Sequence, residues 1–152
     1  MASEPESAMP SRPAGSAGHR LVEHVSDCAI EAWGPGVTAC LREALTALVE
    51  SFALVRDAPV TSLRPFSLAP CGAEDALVLL LEEVIFNLEV RAEVPIRFHV
   101  AATEDGGFVG DMEAVPASQV ELVGPLPKAV SYHDLRMTGG ADGWRCHVLV
   151  DL

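Results

Sequence analysis

The sequence predicts an α+β domain in which two helices pack on one face of a mostly antiparallel sheet of about six strands. Two segments repeat apolar residues every three or four positions, and the chain after the second reads as short strands joined by turns. The chain has 152 residues, of which 49% are hydrophobic. This length suits one core. We therefore expect a single domain over residues 19–152, preceded by a polar, disordered tail over residues 1–18.

The ordered region is expected to begin with two short strands, over residues 20–25 and 29–33, on either side of a break at residues 26–28. A helix is then predicted over residues 37–54, with Thr38 as a nearby N-cap. Its spacing gives one apolar face that can cover a sheet. The residues of that face are Val37, Leu41, Ala44, Leu45, Leu48 and Phe52.

The middle of the chain predicts an edge strand and a second helix. Residues 59–69 alternate loosely and contain two prolines, which are typical of an edge strand or an irregular extended segment. The second helix is predicted over residues 73–90 and should end before Pro95. It is apolar on several sides, so we expect it to be buried on more than one side.

The remainder predicts antiparallel strands. Residues 96–103 and 108–114 are separated by a Glu-Asp-Gly-Gly turn, and residues 128–137 and 144–150 by a segment that contains an Asp-Gly pair. These turn sequences are typical of hairpins, so each pair of strands should be adjacent in a sheet.

Composition limits the partners and the location. The formal net charge is −12, from 10 Lys+Arg against 22 Asp+Glu, and the chain has no basic run that would bind nucleic acid tightly by itself. We expect any RNA contact to be indirect, through a basic protein. No segment is long and apolar enough for a membrane span or a signal peptide. The cysteines lack CxxC spacing, which favours reduced thiols in the cytoplasm without assigning roles to Cys28, Cys40, Cys71 and Cys146.

Two acidic positions could bind a metal. His24 and Asp27 form an HxxD box, and they can face one site only if the strand breaks between them. Asp151 stands beside the α-carboxylate of Leu152. If the fold brings the two ends together, three carboxylates cluster, which is costly without a hard cation. The alternatives are that Asp27 caps a turn, that His24 is a core or edge histidine, and that Asp151 simply ends a strand.

Two further features leave alternatives open. Lys128, Val130 and Tyr132 would share one face of a strand, with His133 on the other, and a half-buried structural strand explains them equally well. A zinc site from His24, Cys28 and a remote thiol is an alternative, although the short CxxC or HxxxH spacing is absent.

Taken in order, these motifs resemble the archease family, the accessory proteins of RtcB-type tRNA-splicing RNA ligases. The resemblance runs from about residue 19 to the end, with Val-Ser inside the HxxD box where Thr-Ala is usual and Ser131 in place of the commoner threonine. It is carried by His-Val-Ser-Asp at residues 24–27, Lys-Ala-Val-Ser-Tyr-His at residues 128–133, and Val-Leu-Val-Asp-Leu at residues 148–152.

The resemblance implies a calcium site, with Mg²⁺ as the second choice, whose ligands are Asp27, Asp151 and the main-chain oxygens of Leu152. Oxygen ligands without thiolate suit such hard ions. The remaining motif residues would support a ligand through hydrogen bonds or contact the partner protein. They are His24, Lys128, Tyr132 and His133.

The implied function is chaperone-like and not enzymatic. The family assists transfer of GMP from GTP onto the ligase histidine, which allows multiple turnovers in tRNA splicing or RNA repair. Two other classes remain open. A small hydrolase would use Asp27 and Asp151 to hold a water-activating ion, and a binding module would join an assembly without chemistry. The sequence leaves the oligomeric state open.

Overall fold

A computed structural model describes residues 15–23 and 26–152. Most of the expected tail (residues 1–14) and His24 lie outside the described residues. Two α-helices and nine β-strands are present in the described part of the chain. In order they are β1 (Gly18–Glu23), β2 (Asp27–Gly34), α1 (Val37–Phe52), β3 (Ala53–Leu54), β4 (Ser62–Leu68), α2 (Ala73–Arg91), β5 (Glu93–Ala102), β6 (Phe108–Pro116), β7 (Glu121–Leu122), β8 (Ala129–Gly140) and β9 (Gly143–Asp151).

The described strands pair antiparallel in three sheets: β1-β2-β9-β8, β4-β6-β5 and the short pair β3-β7. The predicted α+β class with two helices is confirmed. The division into sheets differs from the single sheet of about six strands that we expected. The physical reason lies in the helices, since α1 packs against β1, β2, β9 and β5, and α2 packs against β8 and β5. Each helix is therefore covered by strands from both larger sheets.

Helix α1 begins at Val37, with Gly36 as its N-cap and no side-chain cap. The prediction of Thr38 as N-cap was wrong, because Thr38 already lies in the first turn. The helix ends at Phe52, two residues earlier than expected, because Ala53 is extended (φ −134°) and starts β3. The predicted apolar face is buried, and the Phe52 side chain is fully enclosed.

Helix α2 matches its prediction to within one residue and is buried on several sides, as expected. It ends at Arg91, because the next residue, Ala92, adopts a left-handed conformation (φ 52°) that stops the helix. Buried Asn87 is satisfied, since its Nδ2 donates to the Glu83 carbonyl oxygen (2.8 Å) and its Oδ1 accepts from Arg91 Nη1 (2.6 Å). Neither α1 nor α2, the helices of the described residues, has the length and apolar character needed to cross a bilayer.

Strand β8 is interrupted near its middle. Its pairing with β9 shifts between Ser131 and Arg136, and Asp134 adopts a positive φ of 57°. The carbonyl oxygen of Asp134 accepts a hydrogen bond from His147 Nδ1 on β9 (3.0 Å). A bulge of this kind turns side chains out of the sheet, and Tyr132 within it is 64% exposed.

Three of the four cysteines are core residues, and none forms a disulfide. The pKa of the Cys40 thiol is raised by its hydrogen bond with Cys146 and by burial. Cys28 is also buried, whereas Cys71 is half-buried. The Cys40 thiol therefore contains little thiolate and is chemically inert.

Edge strand β1 is held to α1 by one histidine. His19 Nδ1 lies 2.8 Å from Glu43 Oε1, and His19 Nε2 lies 2.6 Å from Glu50 Oε1. Burial lowers the pKa of His19, but the two carboxylates outweigh it, so that the pKa is raised above its ordinary value of 6.5. The imidazolium form is therefore favoured in the folded protein.

We expect this contact to make stability depend on pH. A histidine with a raised folded-state pKa stabilises the protein below its ordinary pKa, and this contribution is lost as the pH rises through the raised value. Urea unfolding should be measured below pH 6.5 and above the raised pKa. Between these conditions the free energy of unfolding of the wild type should fall by about 1 kcal/mol or less relative to that of His19→Gln. Parallel pH profiles for the two proteins would contradict the assignment.

Candidate metal centre

The two predicted acidic ligands lie on adjacent strands. In the antiparallel β2-β9 pair, Asp27 is directly opposite Asp151. Directly opposite residues have Cβ atoms about 4.5–5.5 Å apart. The alternate positions Cys28 and Val150 are buried in the core, so the two aspartates share the outer face of the four-stranded sheet, away from the helices.

Main-chain hydrogen bonds bring the neighbouring segments to the same place. The Leu152 N–H donates to the Ser26 carbonyl oxygen (3.0 Å), and the Lys128 N–H donates to the Asp151 carbonyl oxygen (2.8 Å). Ala129 is paired with Asp151 from the other side. The start of β2, the end of β9 and the start of β8 therefore converge, as the cluster hypothesis requires.

The electrostatics of this pair fit a hard cation. Asp27 Oδ1 is buried and has no hydrogen-bond partner among the described residues, while Asp151 is exposed. A buried acceptor without a donor is costly, and like charges directly opposite each other repel. A cation bound between the two carboxylates would relieve both penalties. Oxygen donors alone suit Ca²⁺ or Mg²⁺ better than zinc.

Side chains alone do not complete a metal site. Within residues 15–23 and 26–152, no group of three or more His, Cys, Asp or Glu side chains could hold an ion. Main-chain oxygens could add to the two carboxylates, and those of Leu152 lie next to Asp151 in the chain. The role of Leu152 as a ligand stays a prediction.

The other predicted residues do not all lie at the acidic pair. Lys128 is brought to the acidic pair by its main-chain bond to Asp151. Tyr132 and His133 are exposed in the bulge of β8, and Tyr132 does not share a face with buried Val130 as predicted, because the bulge interrupts the alternation. His24 lies outside the described residues, and its role stays a prediction. The expected break at residues 26–28 is limited to Ser26 in the described chain, since β2 already includes Asp27.

A charged pair on the same outer face, Arg20 with Glu31, was not predicted from the sequence. Glu31 is only 2% exposed, and Arg20 on β1 lies opposite it in the sheet. Arg20 donates from Nε (2.9 Å) and from Nη2 to Glu31 Oε1. Glu31 is four residues from Asp27, so strand alternation could have placed both on one face, but no sequence signal indicated its burial.

Comparisons with known proteins agree on one family. The model of the "Archease protein family (MTH1598/TM1083)" matches residues 19–152. Curated relatives described as "Probable protein archease", from two strains of Mycobacterium tuberculosis, are 39% identical over 141 residues. Those alignments cover 93% of this chain and 78% of the relatives.

Solved structures share the fold. The solution structure of protein 1598 from Methanobacterium thermoautotrophicum superimposes with a TM-score of 0.70 at 18% identity, covering 89% of this chain and 99% of that protein. The crystal structure of "an archease, possible chaperone" from Thermotoga maritima gives a TM-score of 0.61 at 20% identity, covering 88% and 96%. At these identities the likeness shows the fold alone.

Proposed function

The chain belongs to the archease family, and from that premise we propose that it is a metal-binding accessory protein of an RtcB-type RNA ligase and not an enzyme itself. In this proposal it promotes guanylylation of the ligase and allows multiple turnovers in tRNA splicing or RNA repair. The observation that supports it best is the pairing of Asp27 with Asp151 on the outer face of the four-stranded sheet.

The metal in this proposal is Ca²⁺, with Mg²⁺ as the second choice. Asp27, Asp151 and the main-chain oxygens of Leu152 would hold it, and the partnerless Oδ1 of Asp27 supports an ion at this position. When bound, the ion would supply a positive charge that attracts phosphate or carboxylate oxygens of a partner. The protein residues would fix the position of that charge at the surface.

The partner in this proposal is the ligase, and RNA is contacted only through it. A net charge of −12 suits docking on a basic, RNA-binding protein, because complementary charge speeds association and selects partners. Exposed Lys128 immediately precedes β8, exposed Tyr132 and His133 lie on β8, and all three are available for contact. The proposal includes a cytoplasmic location, where thiols stay reduced.

Ligation by the cognate ligase at sub-stoichiometric concentration, with and without this protein, tests the proposal. We expect turnovers beyond the first only when the wild-type protein is present, and we expect Asp27→Asn to abolish the stimulation while its circular dichroism spectrum is unchanged. Asp142→Asn is the matched control, since it removes the same charge from an exposed turn of the same sheet. Normal stimulation by folded Asp27→Asn would show that the acidic pair is not needed.

A further inference from the structure

Two arginines lie together on the outer face of the four-stranded sheet. Arg136 on β8 is opposite His147 on β9, and Thr138 is opposite Arg145. Arg136 and Arg145 are therefore diagonal neighbours across the two strands, and their Cα atoms are about 7–8 Å apart. Both side chains are exposed, and the helices pack against the other face of the sheet.

Neither arginine forms an ion pair with the residues that the structure describes. In contrast, Arg56, Arg64 and Arg97 each pair with a glutamate. Like charges in neighbouring cross-strand positions repel each other. No acidic residue in the described part of the chain neutralises these two adjacent arginines, and an anion bound between them would do so.

Asp142, in the turn between β8 and β9, lines a surface cavity with Arg145 without forming an ion pair, and the neighbouring residues of the outer face have other partners. Glu31 on β2 lies opposite His147 and already accepts a hydrogen bond from Arg20. Trp33 is opposite Arg145, but its indole lies over Gly18 on β1, where a Cβ atom would be 2.6 Å from the ring. His147 Nδ1 is bonded to the main chain of the bulge.

We propose that Arg136 and Arg145 form a binding site for a chain of two or three phosphates. Guanidinium groups bind phosphate through paired, planar hydrogen bonds, and two of them at this spacing can hold adjacent phosphates. The net charge of −12 repels every anion, and most strongly a multiply charged one, so binding depends on close contacts with both guanidinium groups. The ligand is a free polyphosphate or a nucleoside triphosphate. This inference goes beyond the proposed function and does not rest on it.

Isothermal titration calorimetry of the purified full chain with inorganic tripolyphosphate tests this site. EDTA is present so that no metal can bridge the anion to Asp27 and Asp151. We expect saturable binding that weakens with added salt, and a loss of about tenfold or more in affinity for Arg136→Gln and for Arg145→Gln. Both residues are exposed, so the variants should stay folded. Arg136→Lys should recover only part of the affinity, because lysine keeps the charge but cannot bind in a bidentate manner.

Arg42→Gln is the matched control, since it removes one positive charge from α1, away from this face. Equal weakening by Arg42→Gln would overturn the proposal by showing nonspecific attraction, and so would the absence of saturable binding to wild type. A second titration uses a nucleoside triphosphate. Tighter binding of the nucleoside triphosphate than of tripolyphosphate supports a nucleotide as the ligand, and tighter binding of tripolyphosphate supports a free polyphosphate.

Discussion

Replacing Asp151 with asparagine is expected to abolish stabilisation of this protein by Ca²⁺ and to make the metal-free protein more stable. Both effects have the same cause, which is the pairing of Asp151 with Asp27 across the sheet. Without an ion, the two carboxylates repel each other, at a cost of up to about 1 kcal/mol. With an ion, the same two groups would be its main ligands.

The size of the Ca²⁺ effect follows from mass action. An ion at one hundred times its dissociation constant stabilises the folded state by about 2.7 kcal/mol, and the variant should lose most of this. Urea unfolding in EDTA and in excess Ca²⁺ measures both effects. Asp142→Asn should respond to Ca²⁺ as wild type does. An Asp151→Asn protein with an undiminished Ca²⁺ response would contradict the site.

The second large effect is expected from Arg20→Met. Glu31 is 2% exposed, and removing its partner leaves a buried carboxylate without a countercharge. Breaking such a pair from one side costs about 3–5 kcal/mol, and we expect the lower end here, because 36% of the Arg20 side chain is exposed and water can enter. Urea unfolding should show this loss with little change in the slope of the transition.

The control for this prediction is the reciprocal change. Glu31→Gln should cost much less, since the partly exposed Arg20 side chain can be solvated when its partner is neutral. In the double variant with methionine at both positions, much of the loss should be recovered, because apolar pairs of similar volume often replace buried ion pairs without cost. Equal losses from the two single changes would contradict the view that the buried carboxylate dominates.

Local features of the fold were largely predictable from the sequence. The bounds of α2 followed from its apolar residues and from Pro95, and the last strand showed the alternation that buries Cys146 and Val148 and leaves Asp151 outside. Periodicity identifies the face of an element that is buried, but not its partner. The division of the strands into separate sheets was therefore missed. The bulge in β8 was also missed, because a positive φ at Asp134 leaves no clear sequence signal.

The candidate site was predictable only in part, for the same reason. Asp27 and Asp151 were singled out by their positions near strand ends and by the family resemblance. The pairs Glu31 with Arg20 and Arg136 with Arg145 depend on strand register, which a single sequence does not reveal. Residues that meet across strands lie up to 124 positions apart in this chain, as Asp27 and Asp151 show.

The order of synthesis has a consequence for how this protein matures. Strand β9 lies between β2 and β8 but leaves the ribosome after both of them. Until it inserts, β2 and β8 each present an open edge, and a nascent chain at that stage is exposed to intermolecular pairing. If β9 paired with its neighbours one residue out of register, the Asp151 side chain would point toward the helices and the Val150 side chain toward water. Ion binding at this position would therefore report that the final strand has docked correctly.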